Sequence, residues 1–216
     1  VWVKNFVGLS DCCKSIHVQF AHDKTQCVTV TNQAEQKMTL FLTLKLEDET
    51  ATAALAQNMA RQLQSGDVVF LSGDLGAGKT TFTRHLISAF GLNTKVKSPT
   101  YTLLETYDLP ETAPAKTLHH FDLYRLTDPR EWYSAGFEEN LNDTAIVVIE
   151  WAEKAEGALP KPDWRIHLTH DEPKDIEDNS TNDGANAESR EYFDVARFVV
   201  IEAVSASAAK RIAALR

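Results

Sequence analysis

Cysteine is scarce: three in 216 residues, and all of them (Cys12, Cys13, Cys27) fall within the first 27. That placement is not a disulfide framework, and it lacks zinc-site spacing. No apolar run approaches the roughly 20 residues a membrane-spanning helix needs. The first residues carry no charged-then-apolar secretory pattern. A cytoplasmic location, with no membrane partner, is the simplest expectation. Positive charge is in deficit as well: 22 lysines and arginines face 31 aspartates and glutamates, for a formal net charge of −9. An acidic chain is a poor autonomous ligand for nucleic acid, since neutralising phosphates supplies most of that affinity. The deficit is concentrated, because residues 171–191 hold eight acidic and two basic side chains. The remainder is close to balance and has room for a local basic patch.

What is present suffices for a buried core: 43% of the residues are hydrophobic. One domain is the default at this length, and two small ones are possible. Residues 1–37 differ from the rest. They hold every cysteine, precede the first methionine, Met38, and alternate only weakly (Ile16, Val18, Phe20; Val28, Val30). The expectation is that Met38 is the natural start and that 1–37 is a non-native or poorly ordered extension. A small β-hairpin extension is the alternative.

From Met38 onward the pattern is regular. Residues 40–46 alternate as a strand does. Asp48 or Thr50 is placed to cap a helix running to about Gln64, with Leu55, Met59 and Leu63 on one face. Strands are expected over 68–71, 101–107, 116–122, 145–150, 165–169 and 197–203. Helices are expected over 81–90, from Asp128-Pro129 onward, and over 206–216. Strands alternating with helices imply an α/β three-layer sandwich around a mostly parallel sheet. The continuous apolar strand at 145–150 fits a sheet covered on both faces.

One motif is complete. Gly73-Asp74-Leu75-Gly76-Ala77-Gly78-Lys79-Thr80 is a G-x-x-x-x-G-K-T phosphate-binding loop, and it lies between an apolar strand and an amphipathic helix. Its glycines let the backbone amides converge on an anion, and the following helix adds its positive end. Lys79 is expected to reach the β/γ-phosphates of a nucleotide, and the Thr80 hydroxyl to ligate Mg²⁺. The fold expectation is therefore a P-loop NTPase domain over 38–216.

A nucleotide hydrolase also needs a carboxylate near Mg²⁺ and a group to orient water. Asp122 and Glu150 close the strands at 116–122 and 145–150, and ligands of open α/β sheets bind beyond such carboxyl ends. Either acid could equally be a solvated strand end. His119 and His120 point to opposite faces of their strand and cannot easily share an ion. One is expected to be packed and the other exposed.

Together these segments resemble a known family. Gly73 to Thr80, Lys97-Ser98-Pro99-Thr100-Tyr101-Thr102-Leu103, His120-Phe121-Asp122-Leu123-Tyr124-Arg125-Leu126 and Ile149-Glu150-Trp151 match TsaE in content and order. TsaE is the bacterial ATPase subunit needed to form threonylcarbamoyladenosine in tRNA. The resemblance implies that Gly73, Asp74, Leu75, Gly76, Ala77, Gly78, Lys79, Thr80 and Thr81 hold ATP. It implies that Lys79 and Glu150 are catalytic and that Thr80, Asp122 and Glu150 form the Mg²⁺ site. Thr100 would sense the γ-phosphate, unless its hydroxyl only satisfies local backbone. Trp151 would help close the site, or is a plain core tryptophan. Arg125 would touch phosphate or a partner, or pack its stem beside the sheet. Asp48 would lie near the base, and capping the first helix accounts for it equally well. TsaB and TsaD would be the partners, and tRNA would be met indirectly, through the assembly. The leader before Met38 has no counterpart in the family pattern, and the acidic 171–191 connection is longer and more acidic than the family's usual one.

The leading expectation is an ATPase, weak alone and stimulated by partners, that powers a tRNA-modifying assembly. A small-molecule or nucleoside kinase is the alternative. It would need an acceptor pocket and usually an arginine-rich lid, and no arginine cluster follows the core motifs. A GTPase would typically carry an N-K-x-D segment, which is absent.

Overall fold

A computed structural model of the chain describes residues 15–19, 27–31, 39–170 and 196–215. Met38 and the acidic run 171–191 lie outside these residues. Hydrophobic patterning sorts the strands into two kinds. β4 (Val68–Ser72) and β7 (Ala145–Glu150) are largely apolar on both faces, and every residue of β7 is buried; β6 (Thr117–Asp122) is covered on both faces although it carries His119, His120 and Asp122. β8 (Trp164–Thr169) alternates, burying Trp164, Ile166 and Leu168 while exposing Arg165 and His167. β9 (Arg197–Ala203), β3 (Thr39–Leu46) and β5 (Leu104–Asp108) lie farther from the middle, as do β1 (Ser15–Gln19) and β2 (Cys27–Thr31).

Among the described residues these strands form one sheet in the order β1-β2-β3-β9-β8-β4-β7-β6-β5. The parallel ladder is its centre, β8-β4-β7-β6. Antiparallel pairs flank it on both sides. The fold is thus the expected α/β sandwich, with the parallel part where the phosphate-loop strand sits. In β6 and β7, Asp122 is paired in register with Glu150. Both carboxylates therefore reach the same edge of the sheet.

Helices cover the two faces unequally. α1 (Glu49–Gln62) and α2 (Lys79–Ala89) pack on one face with α4 (Ala206–Arg211). The side chain of Asp48 caps α1 by accepting from the Ala51 amide at 2.7 Å. Leu55, Ala56 and Met59 bury the apolar stripe of α1 against the sheet. The other face carries α3 (Glu131–Ser134) and 3-10 turns at Phe137–Asn140 and Ala152–Ala155. There Phe121, Trp132 and Phe137 stack with centroids 5.0 to 5.5 Å apart. Such aromatic pairs add about 0.5–1.5 kcal/mol each beyond their burial.

Several boundaries depart from the sequence expectation, among them the terminal helix, which is α-helical only over Ala206–Arg211. α2 begins at Lys79, not at 81, because Gly78 in the left-handed region (φ 100) turns the chain straight into the helix. β5 begins at Leu104, not at 101. The Leu103 amide closes a turn onto the Pro99 carbonyl at 2.6 Å, and Leu103 itself has φ 63. The helix after Asp128-Pro129 is only four residues long and stops at Gly136 (φ 68).

Candidate functional site

The glycine-rich loop joins β4 to α2 at the carboxyl edge of the central strands. Gly73, Gly76 and Gly78 all have positive φ (130, 84 and 100). At Gly73 space is closed as well: a Cβ there would overlap the carbonyl of Leu168 on neighbouring β8. Asp74 accepts the Ala77 amide at 3.1 Å through its backbone oxygen. Leu75 projects into solvent, and Ala77 is fully buried under the loop. Thr81 follows in the first turn of α2.

Lys79 is buried, and its ammonium donates to the carbonyls of Gly73 (2.7 Å) and Asp74 (2.8 Å). The ring of Trp151 lies over it, 4.0 Å from Nζ to the centroid. Burial pulls the lysine below its ordinary pKa, while Glu150, Asp122, Glu153 and Asp74 pull it back up. Four carboxylates around one ammonium leave net negative charge at the mouth of the loop. That field suits a cation arriving with an anionic ligand.

The carboxylates come from the strand ends. Face alternation puts His120, Asp122 and Glu150 on the α2 side of the sheet, opposite Phe121 and Ile149 in the second core. The Thr80 hydroxyl donates to Glu150, with Oε1 at 3.0 Å and Oε2 at 3.2 Å. Glu150 is only 2% exposed. Asp122 is bound at Oδ2 by the hydroxyls of Ser98 and Thr100, the latter at 2.6 Å. Its Oδ1 accepts the Tyr124 amide at 3.0 Å. Ser98 and Thr100 also lie 2.6 Å from each other. One hydroxyl and two carboxylates in this arrangement are hard oxygen donors of the kind Mg²⁺ takes. They are too few for an all-protein cage, as expected where phosphate oxygens complete the shell. No cluster of three or more His, Cys, Asp or Glu able to hold a metal alone occurs among the described residues.

Lys79, Thr80, Thr100, Asp122 and Glu150 thus lie together. Asp48 caps α1, which is tied to α2 by Glu49 and His85 at 3.0 Å, and its carboxylate is engaged with the Ala51 amide. Trp151 packs against the margin of the second core. It sits half-buried in the left-handed region (φ 59), between Lys79 and the ring of Tyr124. Arg125 is exposed and stacks on exposed Tyr101 at 4.1 Å.

The histidine expectation is corrected: both are buried, one on each face of β6. An interior strand with both faces covered exposes neither neighbour. His119 meets Thr106 at 3.0 Å, and burial lowers its pKa. His120 meets Glu150 at 2.8 Å. Alternation along 118–122 was the signal that His120 shares a face with Asp122.

Two further residues lacked any assigned role. Ser98 stood inside a recognised motif. Arg197, the first residue of β9, presses its guanidinium against Gly78. A Cβ at that glycine would come within 3.1 Å of Arg197 Nε, which is buried without a hydrogen-bond partner. Only the pairing of β9 with β3 and β8 brings it there, and no local pattern announces it.

Comparison with known proteins agrees with this geometry. A profile of the family "Threonylcarbamoyl adenosine biosynthesis protein TsaE" matches residues 46–179. The chain is 40% identical over 142 residues to the tRNA threonylcarbamoyladenosine biosynthesis protein TsaE of Haemophilus influenzae, covering 63% of this chain and 87% of that protein. The Rickettsia felis TsaE is 44% identical over 126 residues, 58% of this chain and 71% of the relative. The crystal structure of Bacillus subtilis YdiB superposes with a TM-score of 0.61 at 24% identity. It covers 83% of this chain and 97% of that one, a likeness of fold. No helix among the described residues is long and apolar enough to cross a membrane. The chain belongs to the TsaE family of threonylcarbamoyl adenosine biosynthesis proteins.

Proposed function

We propose that this chain is a Mg²⁺-dependent ATPase that supports threonylcarbamoyladenosine modification of tRNA in the cytoplasm. It would act with partners of the TsaB and TsaD kind and meet tRNA only through them. The observation that carries the reading is the contact of Thr80 with Glu150, 3.0 Å across the mouth of the phosphate loop. It joins the metal-type hydroxyl of one motif to the acid of another, beside a buried lysine. Amides of the loop and the start of α2 would receive the phosphates, and Lys79 would turn from its two carbonyls toward them. Mg²⁺, when bound, would neutralise charge on the β- and γ-oxygens. Glu150 would orient the attacking water and accept its proton. Thr100 donates to Asp122, and in this reading a bound phosphate or cation would compete for its hydroxyl.

Partner dependence follows from the same site. The loop would bind phosphate by itself, but hydrolysis needs a completed charge and water arrangement, part of which a partner supplies in many P-loop enzymes. The test is phosphate release from ATP by the chain alone and with TsaB, TsaD and tRNA. Stimulation by the partners is expected, with loss of release in Glu150→Ala. Equal rates with and without partners would remove the coupling. A phosphorylated small-molecule product in place of free phosphate would point to a kinase.

A further inference from the structure

His120 is completely buried, with Nε2 2.8 Å from Oε1 of Glu150. Its other ring nitrogen, Nδ1, is also buried and has no hydrogen-bond partner. The two facts together select a tautomer. A proton on Nδ1 would be an orphaned buried donor, and it would turn the Nε2 lone pair toward a carboxylate oxygen. A proton on Nε2 satisfies Oε1 and leaves only a bare acceptor behind. The imidazole is therefore a dedicated donor to Glu150.

Glu150 has two such donors, Thr80 and His120. They differ in what else is asked of them. The Thr80 hydroxyl must also serve the nucleotide's cation, whereas His120 lies on β6 with no competing partner for Nε2. Asp122, two residues on, has separate restraints in Ser98, Thr100 and the Tyr124 amide. We propose that His120 is a positioning residue, whose Nε2–H holds the Glu150 carboxylate in one orientation against Thr80, ready for the cation and water. The role presupposes the ATPase reading above. Hydrogen-bond partners behind metal-binding groups typically change metal affinity or activity by about 10- to 100-fold when removed.

The experiment uses the full chain and three variants. His120→Gln keeps an N–H donor at the depth of Nε2. His120→Asn is one methylene shorter and does not reach. His120→Leu removes the donor. The readouts are binding of a fluorescent ADP analogue with EDTA or with graded Mg²⁺, and kcat and KM for ATP. In the Asn and Leu variants the Mg²⁺ needed for half-maximal analogue binding should rise by about 10- to 100-fold. Their kcat should fall with little change in KM, and binding in EDTA should match the wild type. The Gln variant should recover most of both losses. Thermal melts report folding, and if the Leu variant fails to fold, the contrast of Gln with Asn decides. The proposal is overturned if Asn behaves as wild type, or if Gln is as impaired as Asn. A wild-type chain with no Mg²⁺ response overturns the ATPase reading and this role together. A responsive wild type with unaffected variants overturns the role alone.

Discussion

The ammonium of Lys79 lies 4.0 Å from the centre of the Trp151 ring, with its protons turned back onto the carbonyls of Gly73 and Asp74. The ring face attracts the cation, and the loop carbonyls satisfy it. A triphosphate entering the loop competes for the same charge. ATP should therefore change the tryptophan emission, and Trp151→Phe should remove that change. Titrating both proteins with ATP in one fluorimeter session checks this.

Removing the ammonium should weaken binding outright. A hydrogen bond to a charged group is worth about 1.5–3 kcal/mol. Lys79→Ala is expected to lose at least about 10-fold in ATP affinity by calorimetry, and to release no phosphate.

Arg197 tests a contact that sequence did not announce. Its Nε is buried and unpartnered against Gly78. A guanidinium at the loop is placed to meet an anion there. Arg197→Ala should weaken ATP binding by about 10-fold or more, as loss of a charge-assisted contact does. The melting temperature of the nucleotide-free protein should fall little, because no hydrogen bond is lost at Nε. Unchanged ATP affinity would show that the arginine only fills space.

Gly73→Ala addresses the fold of the loop itself. The residue has φ 130, and any Cβ would strike the Leu168 carbonyl. Forcing a side chain into that backbone region costs about 1–3 kcal/mol before the clash is counted. Chemical denaturation should show a loss at least that large. A neutral result would mean that the loop is not held against β8.

The pH dependence of stability should carry a signature of His119. Burial places its folded pKa below the ordinary 6.5. The unfolded chain therefore takes up a proton first as pH falls. The contribution is intact above pH 6.5 and is lost from there down to the folded value. Wild type should lose more stability than His119→Gln across that window, and paired denaturation curves would measure the difference.

The α/β sandwich and the strand ends that carry the candidate site were legible in the sequence. Gly73 to Thr80 is a local code, because its glycines shape the adjacent backbone and Lys79 and Thr80 follow at fixed spacing. Asp122 and Glu150 were legible as strand ends, since a parallel sheet presents its carboxyl edge in common. Elements governed by tertiary contact were less visible. Tyr101 and Thr102 have strand-like side chains, yet the turn closed at Pro99 claims them. The burial of His119 and His120 depends on coverings that a β-strand pattern does not disclose. Arg197 reaches the loop only because distant strands pair. Asp48 carried two readings in sequence, and its bond to Ala51 accounts for the capping one.

The unequal covering of the sheet sets an order of opening. One side is roofed by helices of 14 and 11 residues, the other by a four-residue helix and two short turns. Regions with fewer tertiary ties part from the rest at lower free energy. Amide deuteration should accordingly reach the flank around Trp132 and Phe137 early, while β4, α1 and α2 resist it. The molecule then loosens first from the face opposite α1 and α2.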